Sequence, residues 1–234
     1  MNPSLEGIRA VTFDVGGTLI EPWPSVGHAY AEVATRFGIA GVAPEALNRQ
    51  FAAAWKARRD FDYSRAAWQE VVNQSFAGLW PEPPGRACFD AIYEHFATPA
   101  PWHLFDDVLP ALAALKARGL KLAVISNWDG RLRPLLHELR LDVHFDAFAI
   151  SHETGCTKPA PEIFQRAAAE LDVPPARVLH VGDSADEDVV GARAAGMSAA
   201  LLDRNADRNC SAVVGDLRWL AAAGGKRLSH SHSD

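Results

Sequence analysis

Apolar positions along this chain follow two rhythms. Between about residues 21 and 103 they recur at three- and four-residue spacing, the period of helices that turn one face to a core. The stretches Val26–Phe37, Pro44–Arg59, Ser64–Leu79 and Arg86–Phe96 carry this pattern, and Gly38-Ile39-Ala40-Gly41, Asp60–Tyr63 and Pro81-Glu82-Pro83-Pro84 interrupt it. Four helices and no strand are expected there. Five of the seven tryptophans and all three tyrosines fall in the same region, which marks it as a packing unit of its own.

Outside it, short apolar runs alternate with helical stretches. The runs are Ala10–Phe13, Leu120–Ile125, Ala147–Ile150, Val178–Val181 and Ala199–Leu202; helices are expected over Val108–Arg118, Gly130–Leu139, Pro161–Glu170 and Asp188–Ala195. Continuous runs suit strands covered on both faces, and strand-helix alternation implies a parallel sheet. The expected class is therefore α/β with a separate helical unit. The residues 224–234, rich in Gly, Ser and His, are expected to be disordered.

Composition narrows the function classes. With 234 residues, 48% apolar and 22% charged, the chain is an ordinary globular one, long enough for a core without disulfide staples. No run approaches about 18 apolar residues, and the first residues lack a basic segment followed by an apolar one. A soluble, cytoplasmic protein with no membrane partner is expected. The net charge of −6 offers no general field for nucleic acid. Cys88, Cys156 and Cys210 have no CxxC spacing and are expected to be small hydrophobes rather than a disulfide frame or zinc cage.

Ligands of open parallel sheets bind beyond the carboxyl ends of the strands, so the residues just past each run are the candidates for chemistry. They are Asp14-Val15-Gly16-Gly17-Thr18-Leu19, Ser126-Asn127-Trp128-Asp129, Thr157-Lys158-Pro159, and Gly182-Asp183 continuing to Asp186-Glu187-Asp188. Asp14 and Asp183 at neighbouring strand ends would repel one another, and a hard cation relieves this; Mg²⁺ suits carboxylate oxygens and leaves positions for a phosphate. Lys158 and Ser126 are placed to hold phosphate oxygens, and the Gly16-Gly17 backbone can approach a ligand closely.

These segments resemble the four motifs of the haloacid dehalogenase superfamily: Asp14-x-x-Gly17-Thr18-Leu19, Ser126-Asn127, Lys158-Pro159 and Gly182-Asp183-x-x-x-x-Asp188, over about residues 9 to 220. Lys158-Pro159-x-Pro161-x-Ile163-Phe164 and Gly191-Ala192-x-x-Ala195-Gly196-Met197 narrow the resemblance to the subfamily with a helical cap inserted after the first motif. The resemblance implies a Rossmann-like doubly wound core (1–20 and 104–223) with an all-helical cap domain (21–103). It also implies Mg²⁺-dependent hydrolysis of a small phosphorylated metabolite through an aspartyl-phosphate. Asp14 would be the nucleophile, with Ser126 and Lys158 acting on the phosphoryl group. Asp14, Gly16, Asp183 and Asp188 would hold the metal, and Gly16, Gly17, Thr18 and Asn127 would contact substrate. A monomer or homodimer is expected.

One position departs from the pattern. Phosphatases of the superfamily carry a second Asp two residues after the nucleophile, as general acid and base; here that residue is Gly16. General acid-base catalysis is worth about 10²–10⁴-fold. Slow turnover, a substitute carboxylate or different chemistry would follow. Asp129, Glu21 and Glu153 are the substitutes within reach, although their ordinary roles are a helix cap, a solvated charge and a loop tie. The alternatives are a non-catalytic module that binds a phosphorylated metabolite or a protein, and a metal-independent 2-haloacid dehalogenase. The four acids among residues 183–188 disfavour the latter. In the cap, Lys56, Arg58 and Arg59 form the one basic cluster; a solvated helix face is expected for it in preference to a contact with an anionic substrate. Most cap aromatics are expected in its core, with Trp23 and Trp102 as hinge residues nearest the site.

Overall fold

The computed structural model describes residues 4–59, 61–205 and 213–222. Its main sheet has five parallel strands: β1 (Ala10–Phe13), β4 (Lys121–Ser126), β5 (Ala147–Ile150), β6 (Val178–Gly182) and β7 (Ser198–Leu201). Their spatial order is β5-β4-β1-β6-β7. The order reverses at β1, so the loops after β1, β4 and β6 meet at one crevice. The register pairs Phe13 with Val124 on one side and with Val181 on the other.

Every residue of β1 is buried. Val11 and Phe13 turn to one apolar layer with Leu112 and Leu115 of α5 (Val108–Ala117) and Leu220 of α10 (Arg218–Ala222). Ala10, Ala123 and Ile125 turn to the other, with Phe164 and Ala167 of α8 (Pro161–Glu170) and Ala192 of α9 (Gly191–Ala194). That two-sided cover explains the unbroken apolar runs. Shorter helices α6 (Leu132–Glu138) and α7 (Ser151–Thr154) follow β4 and β5. No helix among the described residues is long and apolar enough to cross a membrane.

The region rich in aromatics forms α1 (Val26–Thr35), α2 (Pro44–Ala57), α3 (Arg65–Phe76) and α4 (Arg86–His95), with a third apolar cluster built on Tyr30, Leu47, Val72, Phe76 and Phe89. Ser25 and Ser64 cap α1 and α3 by accepting from the backbone N–H groups of His28 and Ala67.

The expectation of no strand between 21 and 103 is corrected. β2 (Ile20–Pro22) and β3 (Trp102–Leu104) pair antiparallel, zipping together the two chain segments that lead into and out of the helical region. Each is three residues long, too short for an alternation pattern, and its partner lies some eighty positions away. The expected helix over Asp188–Ala195 starts earlier, as a π-helical turn over Ala185–Val190 that runs into α9. The tail at 224–234 and Cys210 lie outside the described residues; Cys88 and Cys156 are free thiols.

Candidate active site

Asp14 stands directly past β1 and is 7% exposed. Its Oδ1 accepts from Ser126 Oγ at 2.8 Å and from Lys158 Nζ at 2.7 Å. The same ammonium donates to Asp188 Oδ1 at 2.6 Å. Three of the four sequence motifs thus close on one carboxylate, and the fourth reaches it through Lys158. Burial raises the pKa of Asp14, Lys158 opposing and Asp188 adding to the shift. For Lys158 burial works against the charge, but Asp14 and Asp188 outweigh it and hold the ammonium above the ordinary lysine range. Asp188, also buried, is pulled below the ordinary carboxylate range by Lys158 and by a hydrogen bond from His180.

Asp14, Asp183 and Asp188 each present an oxygen within 4.8 Å of the others'. Three carboxylates against one ammonium leave excess negative charge. It is felt at Asp183, which keeps accessible surface but stands in a walled recess: enclosure, then Asp14 and Asp188, push its pKa up to about 7. The oxygen-only donor set and unbalanced charge fit a hard divalent cation, so the triad can hold a metal. Gly17 has φ +74, and a Cβ there would overlap the Asp183 carboxylate; only glycine brings the loop this close.

Buried partners not anticipated from sequence fix these groups. His180 of β6, fully buried, places Nε2 3.0 Å from Asp188 Oδ1 and Nδ1 2.9 Å from Thr12 Oγ1. An ionised carboxylate only accepts, so Nε2 carries the hydrogen that bonds Asp188. Behind the Asp14 loop, Arg204 donates to the Thr18 carbonyl and forks onto the buried Asp107. His180 lies inside an apolar run, and the residues around Asp107 and Arg204 bear no motif.

The expected substrate contacts separate into groups. Gly16, Gly17 and Asn127 line the cavity over Asp14, as do Asp183 and Asp188. Asn127 is committed to protein partners: it accepts from the Lys158 N–H at 2.7 Å and donates to the Lys158 carbonyl and to Glu187. Thr18 is fully buried and absent from the cavity wall, and its hydroxyl has no partner among the described residues. None of the substitute acids borders the cavity. Asp129 accepts from Trp68 Nε1 and from the backbone and guanidinium of Arg131, Glu153 forks onto Arg133, and Glu21 faces His103 at 3.6 Å.

The cavity, of about 450 Å³, extends from Asp14 into the helical region. Trp102 lines it but Trp23, 58% exposed, does not. The expectation that Arg58 lies on a solvated face is corrected. It lines the cavity, covers the Trp55 ring at 3.6 Å and reaches Glu187 at 3.4 Å, joining the two regions. Arg131, which no motif marked, lines it too, with its guanidinium 3.5 Å from the Tyr93 ring centroid.

An aspartate past the first strand, a serine, a lysine and a three-acid cluster thus meet at one end of a parallel α/β sheet. A family model described as haloacid dehalogenase-like hydrolase matches residues 8–196. The human haloacid dehalogenase-like hydrolase domain-containing protein 3 is 36% identical over 206 residues, 83% of this chain and 82% of that one. The crystal structure of a HAD phosphatase from Thermococcus onnurineus superposes with a TM-score of 0.66 at 26% identity, covering 94% of this chain and all of that one. The magnesium-bound HAD-hydrolase YfnB from Bacillus subtilis shares the fold, with a TM-score of 0.72 at 18% identity over 92% of this chain and 97% of its own. The chain belongs to the haloacid dehalogenase-like hydrolase family.

Proposed function

We propose that this chain is a Mg²⁺-dependent phosphatase that hydrolyses small phosphorylated metabolites through an aspartyl-phosphate at Asp14. The observation that carries the reading is the doubly held Asp14 Oδ1: Ser126 and Lys158 fix one oxygen of the carboxylate and leave Oδ2 without a hydrogen bond among the described residues. In the reaction Oδ2 bonds to phosphorus as the ester P–O bond breaks. Water then attacks the same phosphorus, releasing phosphate and restoring Asp14. Lys158 and Ser126, both buried, stabilise charge on the phosphoryl oxygens. Asp14, Asp183, Asp188 and the Gly16 carbonyl would hold Mg²⁺, which when bound supplies further neutralisation of phosphoryl charge.

The region 21–103 acts as a cap over this site, with β2 and β3 as its two-stranded hinge and the Arg58–Glu187 and Trp68–Asp129 contacts as its seats on the core. With Gly16 in place of an acid, the leaving oxygen takes its proton from solvent, and turnover is correspondingly slow for esters of weakly acidic alcohols.

The test is phosphate release from acetyl phosphate and a phosphate-ester panel, with Mg²⁺ or EDTA. Metal-dependent release that Asp14→Asn reduces to background is expected. Turnover that survives Asp14→Asn refutes the reading. Mg²⁺-dependent stabilisation by ligands without any turnover would establish the binding-module alternative, and halide release from 2-chloropropionate in EDTA the dehalogenase.

A further inference from the structure

Aromatic rings line much of the cavity over Asp14. Trp128 packs against Gly16, its Cζ3 lying 3.4 Å from where a Cβ would stand, so an indole borders the space that an acid at position 16 would use. It continues into Trp102, with ring centroids 5.4 Å apart, and Trp55, Trp68, Tyr63 and Tyr93 extend the wall. Trp55 and Trp68 are near-parallel at 5.5 Å and 15°. The cationic groups of the upper cavity are paired, Arg58 with Glu187 and Arg131 with Asp129. A second anionic group on a substrate would therefore find no unpaired cation there among the described residues. A polyhydroxylated leaving group would exchange water for ring faces and lose hydrogen bonds. A flat apolar group gains instead, by area and by stacking, and a volume of about 450 Å³ lies within the range of organic-ligand sites.

Resting on the phosphatase reading of this site, we propose that its substrates are aryl phosphates, monoesters in which the phosphoryl group is carried by a phenolic oxygen and the ring lies against Trp128 and its neighbours. This class also answers the missing acid. A phenolic oxygen has a pKa of about 10, far below the 15.7 of water, and so departs as its anion with less need of a proton donor. The bond from Asp14 to phosphorus forms, the bond from phosphorus to the phenolic oxygen breaks with its electron pair, and the phenolate takes a proton from water. A second water hydrolyses the aspartyl-phosphate.

The experiment compares phenyl phosphate, 2-naphthyl phosphate, glucose 6-phosphate and acetyl phosphate with Mg²⁺, and inhibition by 2-naphthylphosphonate against methylphosphonate. The two aryl esters have leaving groups of similar acidity, so their ratio reads ring burial rather than reactivity. We expect kcat/KM for the naphthyl ester to exceed that for the phenyl ester by about tenfold and the glucose ester by more. Trp128→Ala should shrink the naphthyl-to-phenyl ratio at least about threefold. The phosphonates need no variant: the naphthyl compound should bind the wild type at least about tenfold more tightly. A naphthyl-to-phenyl ratio near one, equal inhibition by the two phosphonates, or glucose 6-phosphate at parity with the naphthyl ester overturns the aryl assignment. In each case Asp14-dependent hydrolysis of acetyl phosphate leaves the phosphatase reading standing. Absence of hydrolysis from acetyl phosphate and every ester overturns both.

Discussion

Replacing Gly16 by aspartate would place a general acid where the leaving oxygen is proposed to depart. The backbone permits it: Gly17, not Gly16, is the neighbour with positive φ, and a Cβ at 16 meets Trp128 at 3.4 Å, an ordinary contact. The carboxylate beyond that Cβ must lie along the indole. Partial desolvation there would raise its pKa, which favours the protonated form a donor needs. Such an acid is worth about 10²–10⁴-fold, or roughly 3–5 kcal/mol of barrier. Crowding of the carboxylate against Trp128 would cost folding stability, about 1–3 kcal/mol, and reduces the rate gain only as far as it displaces the acid. The net expectation is a gain of about tenfold or more on glucose 6-phosphate, whose alkoxide leaves poorly, and a smaller one on phenyl phosphate. Phosphate release with Mg²⁺ from both esters, for Gly16→Asp and for Gly16→Asp with Trp128→Ala, reads this directly. If the crowding argument holds, the double variant gains further on the glucose ester. No gain on that ester in either variant would mean that the leaving oxygen does not depart on the Gly16 side, and the geometry proposed here would be wrong.

The charge network gives expectations independent of catalysis. Lys158→Ala leaves Asp14 and Asp188 buried without their cation and should cost about 3–5 kcal/mol in urea denaturation with EDTA; a loss below about 1 kcal/mol would show that the pairing is not what holds these carboxylates. Asp183 has its folded pKa raised to about 7 from 3.8, so its ionisation destabilises the metal-free fold as pH rises through that window. Asp183→Asn should therefore stabilise the protein in EDTA at pH 8, lose that advantage below about pH 4 and lose it also when Mg²⁺ is added to the wild type; a stabilisation that persists at low pH would contradict the charge explanation. Arg131→Met removes the fork onto Asp129, the bond to the Tyr93 carbonyl and the ring contact, and should cost about 1.5–3 kcal/mol by the same denaturation measurement, a neutral result counting against this tie between the helical region and the loop after β4.

How far the site was legible depended on the reach of each signal. Asp14, Ser126, Lys158, Asp183 and Asp188 stand next to apolar runs or turns whose character is local, so position in the sequence already implied position at the sheet's edge. Thr12 and His180 belong to two different strands and meet only because β1 and β6 pair in register, which makes their polarity look incidental in either run alone. Arg58 read as one of three basic residues on a helix; what distinguishes it from Lys56 and Arg59 is Glu187, 129 positions further on.

The acid-rich segment itself shows how a single local irregularity decides which charges act. The Ser184 carbonyl accepts from both Asp188 N–H, at 3.0 Å, and Val189 N–H, at 3.2 Å, so the turn carries an additional residue and continues as a π-helix. In that widened turn Asp188 is 1% exposed and bonds Lys158 and His180, Glu187 faces the cavity, and Asp186 stays on the solvent side. A regular helix beginning at Asp188, as the apolar spacing alone suggests, has no reason to sort three consecutive acids this way. The sorting follows from Gly182, where a Cβ would overlap the Asp188 carboxyl, and from the Ser184 N–H, which donates to Asp188 Oδ2 at 2.9 Å. Composition therefore showed how much negative charge the segment holds, while the π turn determines that Asp188 is paired with Lys158 and His180, that Glu187 bonds Arg58 of the helical region, and that Asp183 keeps a charge no side chain in the cluster balances.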